Sequence, residues 1–284
     1  MPPESSKRKP LHRSRLDVAL VGRGLAESRS QAQRLIMAGQ VRLDGEVTLR
    51  PSKEVPATAA IAVDAGRRFV SRGGEKIEAA LETFALSVQG KVCADVGAST
   101  GGFTDCLLQR GARRVYAIDV GRGILHWKLR NDPRVVLLEG TNARHLERLP
   151  EPIDLVSIDA AFISLALLLP PAAGWLVPGG DVVALVKPQF EAGREAVGRG
   201  GVVRDSRIHR EVLERVATEA AHAGLGPQAI HRSPLLGPRG NVEFLLWAVK
   251  GGEARSLEGD IERAVELSAI GHQQTARAKA KPDA

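Results

Sequence analysis

Cysteine is nearly absent from this 284-residue chain, which has only Cys93 and Cys106. With so few thiols and no Cys/His ligand spacing, a disulfide framework and a zinc pattern are both excluded. Reduced, buried thiols of a cytoplasmic protein are expected instead. Aromatic residues make up 4% of the chain. Long apolar runs are also missing. None approaches the ~18 residues that span a bilayer, and no strongly apolar amphipathic stretch marks a membrane-lysing segment. Pro2 to Pro10 carries charge with no apolar stretch behind it, so a secretory signal is not expected.

Acidic residues are deficient in one place only. Residues 1–72 hold 14 Lys/Arg against 7 Asp/Glu, whereas residues 73–284 hold 26 against 26. The formal net charge of +7 therefore sits in the first quarter of the chain, as expected of an attached nucleic-acid-binding module. After a Pro/Ser/Lys-rich stretch over 1–11, expected to be disordered, the pattern is that of a small α+β unit over 12–66. Leu16 to Val21 suggests a short helix. Ser28 to Gly39 suggests a second, with Ser28 and Gln31 at capping-box spacing. Val41 to Val47 reads as two strands around Asp44-Gly45, and Ala60 to Val63 as another strand. Arg13, Arg15, Arg29, Arg34 and Arg42 lie in this unit, and Arg72 in the linker 67–74.

From residue 75 the chain alternates strand and helix. A helix is predicted over Glu75–Leu86. Strands are predicted at Val92–Val96, Val115–Asp119, Val135–Leu138, Leu155–Asp159 and Asp181–Val186, followed by a helix at Asp205–His222. Ala229–His231 and Val242–Val249 close the sheet as an antiparallel pair. Apolar runs without alternation are the mark of parallel strands covered on both faces. The central stretch is Asp95-Val96-Gly97-Ala98-Ser99-Thr100-Gly101-Gly102-Phe103-Thr104, a buried strand turning sharply into a helix. No Gly-Lys-Ser/Thr follows, so a phosphate ligand is disfavoured. Asp95 and Asp119 close consecutive strands, and an acid after the second strand suits a ribose diol. S-adenosylmethionine fits: a nucleoside whose sulfonium tolerates nearby acids. The expected fold class is α/β, a Rossmann-like S-adenosylmethionine methyltransferase sheet, mainly parallel with an antiparallel last strand, behind a small N-terminal RNA-binding module.

Lys76, Asp159, Lys187 and Glu243 stand where elements begin or end. A lysine closing the apolar run Val182–Val186 needs a partner. With these four residues in that order, residues 75–250 resemble FtsJ-type ribose 2′-O-methyltransferases, and the resemblance implies a ribose hydroxyl that must lose its proton to attack, so that Lys187, shielded and crowded by Lys76, is expected to have a lowered pKa and serve as base. Asp159 would orient it, and Glu243 would orient Lys76. No metal is called for.

These residues carry a resemblance. Residues 12–66, through Arg15-Leu16-Asp17, Ser28-Arg29-Ser30-Gln31-Ala32 and Gly39 to Gly45, resemble the alpha-L RNA-binding module. Residues 75–250 resemble FtsJ-type ribose 2′-O-methyltransferases, whose Lys-Asp-Lys-Glu tetrad matches Lys76, Asp159, Lys187 and Glu243 in order and context. From about residue 12 to 250 the chain resembles the TlyA family of ribosomal RNA cytidine 2′-O-methyltransferases, historically called haemolysins. Val70 to Lys76, Asp95 to Thr104, Phe162-Ile163-Ser164-Leu165, Val186 to Glu191 and Gly240 to Phe244 carry the match. Phe69 stands where that family often has tryptophan, and Ala161 where serine is more usual. The resemblance implies S-adenosylmethionine as cofactor, ribosomal RNA or a ribosomal subunit as partner, and cofactor contacts from Asp95, Gly97, Ser99, Thr100, Gly101, Gly102, Phe103, Asp119, Asn142 and Asp159. It leaves residues 251–284 as a C-terminal helix and polar tail. Trp127 is a candidate for the adenine or for the core, and the Gly193–Gly201 loop with Arg194, Arg199 and Arg204 for RNA. Rival readings fare worse. A pseudouridine synthase lacks the glycine turn, a small-molecule methyltransferase has no use for a basic module, and a methyltransferase of another RNA stays open.

Overall fold

The computed structural model describes residues 13–64, 68–193, 195–198 and 200–267. The expected tail over 1–11, Arg194, Arg199 and everything after residue 267 lie outside the described residues. The chain forms two compact units, Met1–Arg68 and Phe69–Ala284. Among the described residues no helix is long and apolar enough to cross a membrane.

The first unit runs β1 (Arg13–Arg15), α1 (Leu16–Gly22), α2 (Arg29–Met37), β2 (Val41–Leu43), β3 (Glu46–Val47), β4 (Glu54–Pro56) and β5 (Ile61–Val63). The cap forms as its spacing predicts. Ser28 Oγ accepts from Gln31 N at 3.2 Å, and Gln31 Oε1 accepts from Glu27 N at 2.7 Å. The hairpin between β2 and β3 turns through Asp44 (φ 53°) and Gly45 (φ 90°), the two positive φ values of a type I′ turn. β3, β2 and β5 form one small sheet, while β1 and β4 pair antiparallel. Leu16, Leu20, Ala32, Ile36 and Val41 are fully buried between helices and sheet.

Asp17 is also fully buried. Its carboxylate accepts from Arg15 Nε and Nη2 (both 3.0 Å), Arg29 Nε (3.0 Å) and Gln33 Nε2 (2.8 Å). The Arg15 hydrogen bond foremost, with Gln33 and Arg29 behind it, holds this carboxyl far below the usual carboxylate range against the opposing effect of burial. A lowered folded-state pKa stabilises the fold above the unfolded value of about 3.9, and that stabilisation drains away as pH falls below it. Asp17→Asn is therefore expected to flatten the loss of protection in α1 and α2 between about pH 5 and pH 2. Hydrogen exchange resolved by segment reads this, and an acid profile unchanged from the parent would remove Asp17 as the cause.

The second unit opens with α3 (Gly73–Thr83). It continues β6 (Val92–Val96), α4 (Gly102–Gln109), β7 (Arg114–Asp119), α5 (Trp127–Arg130), β8 (Val135–Glu139), β9 (Ile153–Ile158), α6 (Leu169–Trp175), β10 (Leu176–Val186), α7 (Pro188–Glu191), α8 (Ser206–His222), β11 (Leu225–Arg232) and β12 (Phe244–Lys250); residues 258–267 are helical. Seven strands form one sheet in the order β11-β12-β10-β9-β6-β7-β8. Only β12 runs against its neighbours, β10 and β11. Cores lie on both faces, because side chains alternate along β6: Val92, Ala94 and Val96 enter one, Cys93 the other. The chain leaves β6 toward β7 and β8, then returns to the other side of β6 as β9. The carboxyl ends of β6 and β9 thus form the switch point where open α/β sheets hold ligands.

Candidate active site

Gly97 follows β6 at this switch point. Its φ is +82°, and an added Cβ would lie 2.8 Å from the Asp159 carbonyl oxygen and 3.1 Å from Ala160 Cα. Only glycine adopts that conformation cheaply and lets the turn lie against the end of β9. Beyond it, Ser99 and Thr100 are exposed. Asp119, at the end of β7, accepts from Ser99 N at 2.8 Å and from Gly121 N at 2.7 Å. Each carboxylate oxygen keeps a lone pair in that arrangement. Asn142 is exposed at the loop after β8, its Oδ1 accepting from Arg144 N at 3.1 Å. Gly97, Ser99, Thr100, Asp119, Asn142 and Asp159 all lie on loops or strand ends at the carboxyl edge of the sheet.

Four residues expected to touch a cofactor are buried instead. Asp95 is sealed beneath α4, with Oδ2 accepting from Thr104 N (2.9 Å) and Thr104 Oγ1 (2.7 Å) and Oδ1 from Ser157 Oγ (3.2 Å). Burial pushes its carboxyl up to about 7, with the Thr104 hydrogen bonds resisting and the charge of Asp159 adding to the rise. Asp95 therefore ties strand, turn and helix together and acts on a ligand only through the turn. Phe103 packs into the core with Phe69 and Ile77. Gly101 gives its N–H to Ala98 O at 2.8 Å and lies against Leu129 and Leu125. A Cβ on Gly102 would lie 2.2 Å from Ser71 Oγ, so that glycine serves the packing of residues 71–74 on α4. Trp127 is 71% exposed and so is not a core residue.

The four ionisable residues form two ion pairs. Lys76 Nζ lies 2.6 Å from Glu243 Oε2, and Lys187 Nζ 2.6 Å from Asp159 Oδ1. Lys187 also donates to Ala160 O at 2.9 Å and reaches Asp159 O at 3.4 Å. Lys76 comes from α3, Asp159 and Lys187 directly follow β9 and β10, and Glu243 directly precedes the antiparallel β12, so the last three gather at one edge of the sheet. The Glu243 side chain is 0% exposed, and its Oε1 has no hydrogen-bond partner. A Cβ on Gly237 would lie 2.0 Å from that oxygen, so Gly237 leaves the space that the carboxylate fills.

One residue at this edge carries no sequence mark for what it does. Phe162 is 90% exposed, at φ +63°, three residues after Asp159. For a bulky residue this conformation is rare and strained. Its ring lies 5.0 Å from that of Phe190, whose centroid is 6.0 Å from Lys187 Nζ. An exposed aromatic face on the loop whose Ala160 carbonyl holds the ion-paired lysine is a surface on which a planar group can stack.

Of the six arginines expected to meet RNA, three have prior partners. Arg15 and Arg29 hold Asp17, and Arg42 holds Asp64 at 3.1 Å. Arg15 and Arg29 thus help fix the first unit's fold, while all three guanidinium groups stay partly exposed with N–H donors left over. Arg13, Arg34 and Arg72 are exposed and have no acidic partner among the described residues.

Residues 69–250 match the FtsJ-like methyltransferase family, and residues 14–61 match the S4 domain. The chain is 49% identical over 261 residues to the 16S/23S rRNA (cytidine-2′-O)-methyltransferase TlyA of Mycobacterium tuberculosis, covering 89% of this chain and 97% of that one. It is 41% identical to Hemolysin A of Brachyspira hyodysenteriae, covering 81% and 98%. A solved structure described as a hemolysin, from Streptococcus thermophilus, superposes with a TM-score of 0.72 at 42% identity, covering 94% of this chain and 99% of that one.

Proposed function

We infer the activity from one premise: this chain belongs to the TlyA family, FtsJ-like methyltransferases that carry an S4 domain. It transfers a methyl group from S-adenosylmethionine to the ribose 2′-oxygen of a cytidine in ribosomal RNA. The observation that carries this reading is the pair of ion pairs, Lys187–Asp159 and Lys76–Glu243, at the edge that also presents the Gly97 turn.

The residues at that edge fit the cofactor. Asp119 keeps lone pairs for a diol, the turn holds no lysine to repel a sulfonium, and Ser99, Thr100 and Asn142 offer polar groups at the surface. When bound, S-adenosylmethionine supplies an electrophilic methyl group on a cationic sulfur. The protein must supply an alkoxide-like 2′-oxygen. In this reading Lys187, as the neutral amine, accepts the 2′-hydroxyl proton at Nζ. Asp159 Oδ1 and the carbonyl of Ala160 are already aimed at Nζ, with the Asp159 carbonyl behind them. They favour the ammonium that forms as the proton arrives, so they stabilise the transition state more than the ground state. Lys76, held by Glu243, adds positive potential beside the reacting oxygen. Phe162 offers its face to the target base, because a nucleotide recognised in RNA is usually unstacked and restacked on an aromatic side chain. The exposed Arg13, Arg34 and Arg72 supply phosphate contacts, which would make binding steeply salt-dependent.

The test is transfer of labelled methyl to ribosomal RNA that lacks the modification, with the product nucleotide mapped. Label on a cytidine 2′-oxygen is the expected result, and label confined to bases or to protein would overturn the reading. In the same assay Asp119→Ala should weaken the cofactor by one to two decades, as expected for about 1.5–3 kcal/mol from lost hydrogen bonds to a charged group. Parent-like affinity by calorimetry would remove Asp119 from the cofactor site.

A further inference from the structure

The loop that displays Phe162 is gripped at both ends by the few residues after β10. At its near end Lys187 Nζ binds the carbonyls of Ala160 and Asp159. At its far end Glu191 takes over. Its buried carboxylate accepts from Ser164 Oγ at 2.7 Å and from Leu165 N at 2.8 Å. Glu191 itself is anchored, because its carbonyl accepts from Arg215 of α8. Lys187 to Glu191 is one continuous stretch, and the ring of Phe190 inside it packs at a tilt of 51° against that of Phe162. No cation faces the Glu191 carboxylate in an ion pair among the described residues. Both of its carboxylate oxygens accept from neutral donors of this one loop.

We propose that Glu191 is a positioning residue for RNA: it fixes the far end of the 160–165 loop and so holds Phe162 in its strained, outward conformation beside Lys187. Backbone strain of this kind persists only where the surroundings over-determine it, and here the hydrogen bonds to Ser164 and Leu165 provide that restraint. Without them the loop relaxes, Phe162 leaves the position beside Lys187, and the target nucleotide loses its platform. Glu191 touches neither the cofactor turn nor the Lys76–Glu243 pair, so cofactor affinity stays as it was. The proposal rests on the reading of Phe162 as a stacking surface given above.

A double-mutant cycle on the full-length protein with ribosomal RNA tests it. Phe162→Ala should raise KM for RNA by about tenfold or more, the range of a lost base stack. Glu191→Ala should raise it by about fivefold, a modest misplacement of a positioning element, with S-adenosylmethionine affinity unchanged. The double variant should be no worse than Phe162→Ala alone, because both changes remove the same contact. Glu191→Gln, which keeps an acceptor for Leu165 N, should recover part of the loss. If Glu191→Ala does not fold, Ser164→Ala replaces it in the cycle with a smaller effect of the same kind. Multiplying losses in the double variant, or weakened cofactor binding in Glu191→Ala, would overturn the role of Glu191. A parent-like KM in Phe162→Ala would instead overturn the stacking reading, so the two failures are told apart.

Discussion

Lys187→Ala is expected to lower the single-turnover rate of RNA methylation by about 10²–10⁴-fold, the usual contribution of a positioned general base. Cofactor and RNA affinity should stay within a few-fold of the parent, since the lost interaction belongs to the transition state. Lys187→Arg should be no better. A guanidinium keeps its charge and could still bond Asp159 and Ala160, yet it cannot take up a proton. Near-parental turnover in Lys187→Arg would sink the base and leave the lysine as an electrostatic clamp.

The second large effect is on stability. Lys76→Ala leaves the Glu243 carboxylate buried with neither oxygen paired, because Oε1 already has no partner and Oε2 loses its only cation. Breaking a buried pair from one side costs about 3–5 kcal/mol. For a unit of this size that corresponds to a fall in Tm of about 6–20 °C. Replacing both partners, Lys76→Met with Glu243→Gln, should recover most of that loss while activity stays low, separating the structural demand of the pair from its chemical one. Scanning calorimetry decides it. A Lys76→Ala protein as stable as the parent would mean that Glu243 finds another donor or is protonated.

The strands, the glycine turn and the tetrad were legible in the sequence for a physical reason. Val92–Val96 and Asp181–Val186 are unbroken apolar runs, and the residues that close such runs in a parallel sheet must gather at one edge. The pairing of β1 with β4 was not legible, because three-residue strands such as Arg13–Arg15 carry no period to read. That Arg15 and Arg29 also hold Asp17 was not legible, because nothing in the local sequence says that Asp17, between them in the fold, is fully buried. Asp95 looked like a ligand contact for the converse reason. Its place near a strand end was legible, but not that the face of the strand it occupies puts it under Thr104, whose N–H and hydroxyl it accepts. Phe162 and Glu191 stood in motifs whose residues could be matched, while the exposure of one and the partners of the other depend on a backbone turn that only the folded loop reveals.

Gly97 has a consequence for heredity. Every single-base change that recodes a glycine codon, other than to a stop, specifies a residue with a side chain. At position 97 the first atom of any such side chain would strike the backbone of Asp159 and Ala160, the two residues that hold Lys187. No neighbouring codon offers a compromise, since the obstacle is main chain rather than a side chain that could swing aside. A missense change at this codon therefore presses on the turn and on the two residues that hold Lys187 at once, because a single backbone contact couples them.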